Sequence, residues 1–177
     1  MIDNLNKQLR AYDQKWQQVV DGRKDAAFFT GLKPVAVGWK TEDRTEYDRL
    51  VTELRDQSDL VIEKWMNGRW IAKIHLRDTK LTNGVEIVKI MQRRAASTDA
   101  TGLDHVDFYT STEPTRSKDI LKAEPGLKWT EESNDAVDGY DWLSVWFDGT
   151  EAKIKSDTVL DIIRYELNDL NHRITQA

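Results

Sequence analysis

Few residue types in this chain can carry chemistry: there are three histidines and no cysteine among 177 residues. His105 and Asp107 form the first pair of interest, because residues two apart on a strand share a face. An imidazole beside a carboxylate can act as a general base. It can also belong to a divalent-metal site, whose ligands must converge on one point. A metal would need further ligands, and the candidates are His75, His105 and either Asp107 or Glu86. Strand order decides whether His75 reaches His105. The competing reading makes His105 structural, bonded to its neighbours in the sheet wall. His172 falls near the C-terminal end of the last helix, where a cation suits the helix dipole, and reads as a surface residue.

A second group is aromatic. Leu143, Val145 and Phe147 alternate as the natural core set of one strand, which turns Tyr140, Trp142, Ser144 and Trp146 to its other face. Beside His105, Asp107 and Tyr109 from another strand, these residues offer flat apolar walls with a few polar groups, the usual lining of a small-ligand pocket. Equally, the tryptophans could fill a cleft as core. Gln92-Arg93-Arg94 reads as a solvated loop rather than a phosphate site, and Glu131-Glu132 as a solvated strand end. The chain contains no Gly-rich phosphate loop, Gly-x-Ser-x-Gly elbow or zinc spacing.

The elements that must position these residues follow from periodicity. Leu5, Leu9, Tyr12, Trp16 and Val19 predict an amphipathic helix from Asp3 to Val20, closed by Asp21-Gly22. Residues Leu32 to Lys40 predict a strand. Asp43 and Glu46, at capping-box spacing, open a helix through Tyr47, Leu50, Val51 and Leu54. Asn67-Gly68 predicts a tight hairpin between Asp59–Met66 and Arg69–Leu76, and Asn83-Gly84 precedes a strand to Met91. After a polar connector, the plan repeats: strand Leu103–Thr110, a short helix from Thr112-Glu113-Pro114, and strands Leu127–Glu131, Tyr140–Phe147 and Glu151–Lys155. Asp157 could cap a final helix with Val159, Ile163, Leu167, Leu170 and Ile174 on its buried stripe.

The fold class is therefore α+β, built from tandem βαβββ repeats (32–91 and 103–155) with added N- and C-terminal helices (1–21 and 157–174), read as a single domain over 1–177. A chain this long buries roughly 70% of its unfolded surface. The lack of cysteine suits a reducing cytoplasm. No signal peptide or membrane-spanning run is expected, and a net charge of −5 disfavours nucleic acid as a partner.

Three landmarks carry a resemblance. Glu63-Lys64-Trp65-Met66-Asn67-Gly68-Arg69 resembles an "E-N-M-I-N-G-R" hairpin, Gly102-Leu103-Asp104-His105-Val106 resembles a "G-W-E-H-I" strand, and Asp148-Gly149 starts a similar last hairpin. Together with the duplicated βαβββ order, they resemble the YecM-like family of the vicinal-oxygen-chelate, or glyoxalase-like, superfamily over about residues 32–163. That resemblance implies a curved sheet whose concave face holds a divalent metal between His and Glu side chains of the first and last strands of each repeat. Carried over, the second-repeat histidine matches His105. The first-repeat histidine falls at Pro34, its acidic partner at or near Lys89, and the last strand ends Ile154-Lys155-Ser156 without a carboxylate.

The expectation is a non-catalytic domain with a degenerate metal site and no cofactor. It would bind a small organic ligand at His105, Asp107, Tyr109, Trp142, Ser144 and Trp146. The alternatives are a divalent-metal-dependent isomerase, lyase or dioxygenase using His75, His105 and Glu86, and a homo-oligomeric interaction protein, such as a homodimer, associating through the N-terminal helix or strand edges.

Overall fold

Leu5, Leu9, Tyr12, Trp16 and Val20 stack along one stripe of α1 (Ile2–Val20), and all five are buried. The computed structural model of the chain describes residues 1–66, 68–78, 81–133 and 141–156. The expected C-terminal helix, His172, Asn67 and Tyr140 lie outside the described residues. The remaining elements are α2 (Ala26–Gly31), β1 (Lys33–Thr41), α3 (Arg44–Arg55), β2 (Ser58–Met66), β3 (Arg69–Leu76), β4 (Ile87–Gln92), β5 (Gly102–Tyr109), α4 (Pro114–Ala123), β6 (Trp129–Ser133), β7 (Asp141–Phe147) and β8 (Thr150–Lys155).

The strands form one curved open sheet in the order β2-β3-β4-β1-β5-β8-β7-β6. Each half is a βαβββ unit in which the first and last strands run parallel, β1 beside β4 and β5 beside β8. The halves join along the antiparallel β1–β5 pair. This is the α+β, glyoxalase-like architecture that the repeats and the resemblance predict.

Local chemistry accounts for most boundaries. Asp43 caps α3 by accepting from the Glu46 N–H at 2.8 Å, while Glu46 accepts from Glu42 N–H rather than completing the reciprocal box. Gly68 takes a positive φ of 74° in the β2–β3 turn, which a side chain would resist. Two details differ from the sequence reading. The short α2 occupies a stretch to which the periodicity assigns no element, and it is held by Asp25 accepting from the Phe28 N–H. The strand expected from Leu127 begins instead at Trp129, because Gly126 turns the chain at φ 71°.

The pleat divides the central strands into two faces. Val37, Val88, Ile90, Val106, Phe108, Ala152 and Ile154 are buried with the helices in one hydrophobic cluster. Trp16 of α1 stacks 5.2 Å from Phe108, and Tyr12 lies 5.2 Å from Phe147. The apolar stripe of α1 is thus engaged by its own sheet, which removes it as a surface for self-association. The alternating residues point to the opposite face, and among them are Lys89, His105, Asp107, Glu151, Lys153 and Lys155.

Candidate functional site

Cross-strand register builds the site. One row runs Lys73, Lys89, Gly38, His105, Glu151 and Trp146 across β3-β4-β1-β5-β8-β7. The next runs His75, Ile87, Ala36, Asp107, Lys153, Ser144 and Thr130, ending on β6. Directly paired residues share a face, so both rows face away from the helices. On β1 the two rows hold only Gly38 and Ala36, which leaves space above that strand. The His105 ring fills part of it, lying against Gly38. Lys89 reaches across the rest: β4 and β5 are two strand spacings apart, about 10 Å, yet its ammonium pairs with the Asp107 carboxylate.

Asp107 is the hub. It is 1% exposed and pairs with Lys89 on one side and with Lys155, at 3.1 Å, on the other. Burial alone would raise its pKa, but the Lys155 and Lys89 ammonium groups hold it well below the usual carboxylate range. His105, 2% exposed, places Nδ1 2.9 Å from Asp104, whose own carboxyl is held low against burial by His105 and by Lys40 at 2.7 Å. Burial, reinforced by Lys153 and Lys89, pushes the His105 imidazole down to about 3, so it is neutral at ordinary pH. The network assigns the single ring proton to Nδ1, facing Asp104. Nε2 has no hydrogen-bond partner among the described residues and stands 3.9 Å from Asp107.

A second chain of contacts flanks the hub. The Trp142 indole N–H donates to Ser144 Oγ at 3.0 Å, Ser144 donates to Glu151, and Glu151 Oε2 lies 3.6 Å from the Lys153 amine. The Lys153 and Lys155 ammonium groups stand 4.9 and 5.5 Å from the centre of the Trp142 ring. Burial, with Lys89 adding repulsion, lowers the Lys153 amine to about 8.

The six residues expected to line a ligand cleft lie on this one face, but their surroundings differ from an apolar pocket. His105, Asp107 and Ser144 are fully buried in the ion network. Tyr109 sits opposite Lys155 and is half-buried. Trp146 is 37% exposed, its N–H donating to Thr130 Oγ1 at 2.9 Å. The floor is ionic and the aromatics form its side. A cavity of about 630 Å³ lies between α4 and the β6–β8 strands, where Lys118, Glu131, Leu143 and Ile154 contribute to its lining, and of the six expected residues it is lined by Trp142.

The structure separates the proposed metal ligands. His75 stands on β3, with β4 and β1 between it and β5, about 14 Å at ordinary strand spacing. Its Nδ1 lies 2.6 Å from Asp59 and its Nε2 3.7 Å from Glu86, so the two carboxylates occupy opposite edges of one ring. Glu86 therefore neighbours His75 and not His105. Pro34 is paired with Phe108, a core residue, and the residue opposite His105 is Gly38. Neither can bind a metal. Glu151, which the carry-over missed by looking only at the end of β8, is paired with His105.

These residues do not fit a divalent cation. Two ammonium groups already share Asp107, and an ion placed there would meet like charge on both sides. Among the described residues, no group of three or more His, Cys, Asp or Glu side chains could hold a metal. Lys153 and Glu151 escaped the sequence reading. The signal that could have found them is Glu-x-Lys-x-Lys over 151–155, which puts three charged groups on one face of a strand that is central in the sheet.

No protein-family model matches the chain, and no curated protein matches it. Among solved structures, it is similar to one described as "Structural Genomics, Protein EC4020", with a TM-score of 0.67 and 16% identity, covering 92% of this chain and 88% of that one. That likeness is one of fold. A variant of methylmalonyl-CoA epimerase from Streptomyces coelicolor, in complex with 2-nitronate-propionyl-CoA, gives a TM-score of 0.46 at 14% identity, over 72% of this chain and 99% of that one. Another methylmalonyl-CoA epimerase gives 0.46 at 15% identity, over 71% and 94%. No helix among the described residues is long and apolar enough to cross a membrane.

Proposed function

We propose that this chain binds a small organic anion on the face opposite its helices, through a lysine–carboxylate cluster standing where the glyoxalase-like superfamily would hold its metal. The observation that supports this reading is the pairing of both Lys89 and Lys155 with the buried Asp107, with Lys153 beside them. Lys89, Lys153 and Lys155 bring three amines against the two carboxylates of Asp107 and Glu151. When all three amines are protonated, these five groups among the described residues carry one positive charge to spare. Charge excess in a partly desolvated site attracts an anion more strongly than it would in water. The Trp142 ring beside the lysines gives the organic part of such a ligand a flat surface.

The His105 imidazole has one nitrogen committed to Asp104, while the other stands 3.9 Å from Asp107. It serves this reading as a neutral wall that fixes the hub from the β1 side. The ancestral metal site is, on this account, degenerate, and binding proceeds without turnover at His105. The test is a thermal-shift screen of small carboxylates, phosphates and neutral analogues, combined with zinc, nickel and manganese analysis of the purified chain. Stabilisation by anions but not by their neutral analogues is expected. Stoichiometric metal, or stabilisation by neutral compounds alone, would overturn the reading.

A further inference from the structure

Lys153 is the most loosely paired amine of the cluster. Lys89 and Lys155 each pair with Asp107, whereas Lys153 pairs with Glu151 Oε2 at 3.6 Å, a carboxylate whose other oxygen accepts from Ser144. Register puts Lys153 between Asp107 on β5 and Ser144 on β7. Its side chain is 17% exposed, more than that of Lys89 at 10% or Lys155 at 3%. It is therefore the amine of this cluster that a small molecule can best reach. The groups facing it are Lys89 from β4, His105 and Asp107 from β5, Glu151 and Lys155 from its own strand, and Trp142 and Ser144 from β7.

Lysines packed among other cations and desolvated against a ring are those that lose their proton near neutrality and become nucleophiles. We infer that Lys153 is a carbonyl-reactive amine that forms a Schiff base with a small 2-oxo acid bound in the lysine–carboxylate cluster. The step balances without an oxidant or reductant. The neutral nitrogen attacks the carbonyl carbon to give a carbinolamine, and loss of water gives the imine. Glu151 is the group placed to take a proton from the amine and return it to the departing hydroxyl. The neutral imine then takes up one proton from solvent, which restores as iminium the positive charge that the ammonium had given up. The carboxylate of the 2-oxo acid neutralises the cluster's excess cation. A neutral aldehyde would leave that charge unmatched. The lowering of the Lys153 pKa to about 8 agrees with this geometry.

The inference rests on the anion-binding reading, and the two can fail separately. The full chain is incubated with pyruvate and cyanoborohydride at about pH 8, and the adduct is mapped by peptide mass spectrometry. At that pH an ordinary lysine is almost wholly protonated, so Lys153 should be modified roughly tenfold or more faster than exposed lysines such as Lys7. Lys153→Arg should lose the adduct, and its rate in the wild type should rise with a midpoint near pH 8. Mapping in the wild type decides the matter even if that variant folds poorly. Modification spread evenly over the surface lysines overturns the inference. Pyruvate that binds by calorimetry yet leaves Lys153 unmodified overturns it too, while leaving anion binding intact. Adduct at Lys153 that neither saturates with pyruvate nor is slowed by a competing small carboxylate overturns the bound-substrate form of the inference and counts against the anion-binding reading.

Discussion

The imidazole of His105 lies against Gly38 so closely that a β-carbon there would fall 2.6 Å from Nδ1 and 2.7 Å from Nε2. The ring is fully buried and tied to Asp104, so it has little freedom to move aside. Gly38→Ala should therefore destabilise the chain by about 1–3 kcal/mol, the usual range for overpacking. The loss should largely vanish in a His105→Ala background, where the space is open. Chemical denaturation of the four members of this cycle measures it. Additive losses would show that ring and glycine do not oppose each other.

Asp107 holds two buried ammonium groups in place. Asp107→Asn leaves Lys89 and Lys155 without their carboxylate, which should cost about 3–5 kcal/mol, as breaking a buried ion pair from one side does. Replacing the set together, as Lys89→Met, Asp107→Leu and Lys155→Met, should cost less than the single change. Denaturation midpoints of the two proteins give the comparison. A single variant as stable as the wild type would contradict the hub role.

The strand pattern that produces this arrangement was legible in sequence, and the pairs across it were only partly so. Period-two alternation in Leu103–Thr110 put His105 and Asp107 on one face, and Asn67-Gly68 marked a hairpin, because both signals are local. The meeting of Lys89 with Asp107 was not legible. It depends on β1 lying between β4 and β5 and on β1 carrying Ala36 and Gly38 where the lysine crosses. Lys89 drew notice only as the wrong charge at a ligand position, whereas sheet order makes it the partner of a buried carboxylate. The same sheet order set His75 on β3, too far from His105 for a shared metal.

His105 sets an acid limit on stability. Its pKa falls from 6.5 to about 3 in the folded chain, so the unfolded state binds the proton more readily. Stability must then decline as pH drops below about 6.5, by on the order of 3 kcal/mol at about pH 4. Asp107, whose pKa is depressed, contributes stability that is present above 3.8 and lost only at lower pH, so it adds little in that window. His105→Gln should flatten the decline between about pH 6.5 and pH 4. A variant with the wild-type slope would show that His105 is charged in the fold.

Trp16 ties α1 to the sheet through stacking at 5.2 Å on Phe108 and a contact at 5.5 Å with Phe147. Trp16→Ala should cost about 3–5 kcal/mol, as for other buried aromatic truncations. Removing residues 1–21 should unfold the chain rather than only change its association state. Circular dichroism with light scattering separates those outcomes. A folded truncated chain would mean that the sheet does not need α1 as cover.

Anion binding by the lysine–carboxylate cluster in place of a metal is tested most directly by calorimetric titration of the purified chain. Pyruvate and, separately, zinc, nickel and manganese are titrated at about pH 7. The account predicts one saturable site for pyruvate, weakened by added salt, and no site for any of the three metals. One tightly bound divalent ion per chain, with no heat from pyruvate, would contradict it.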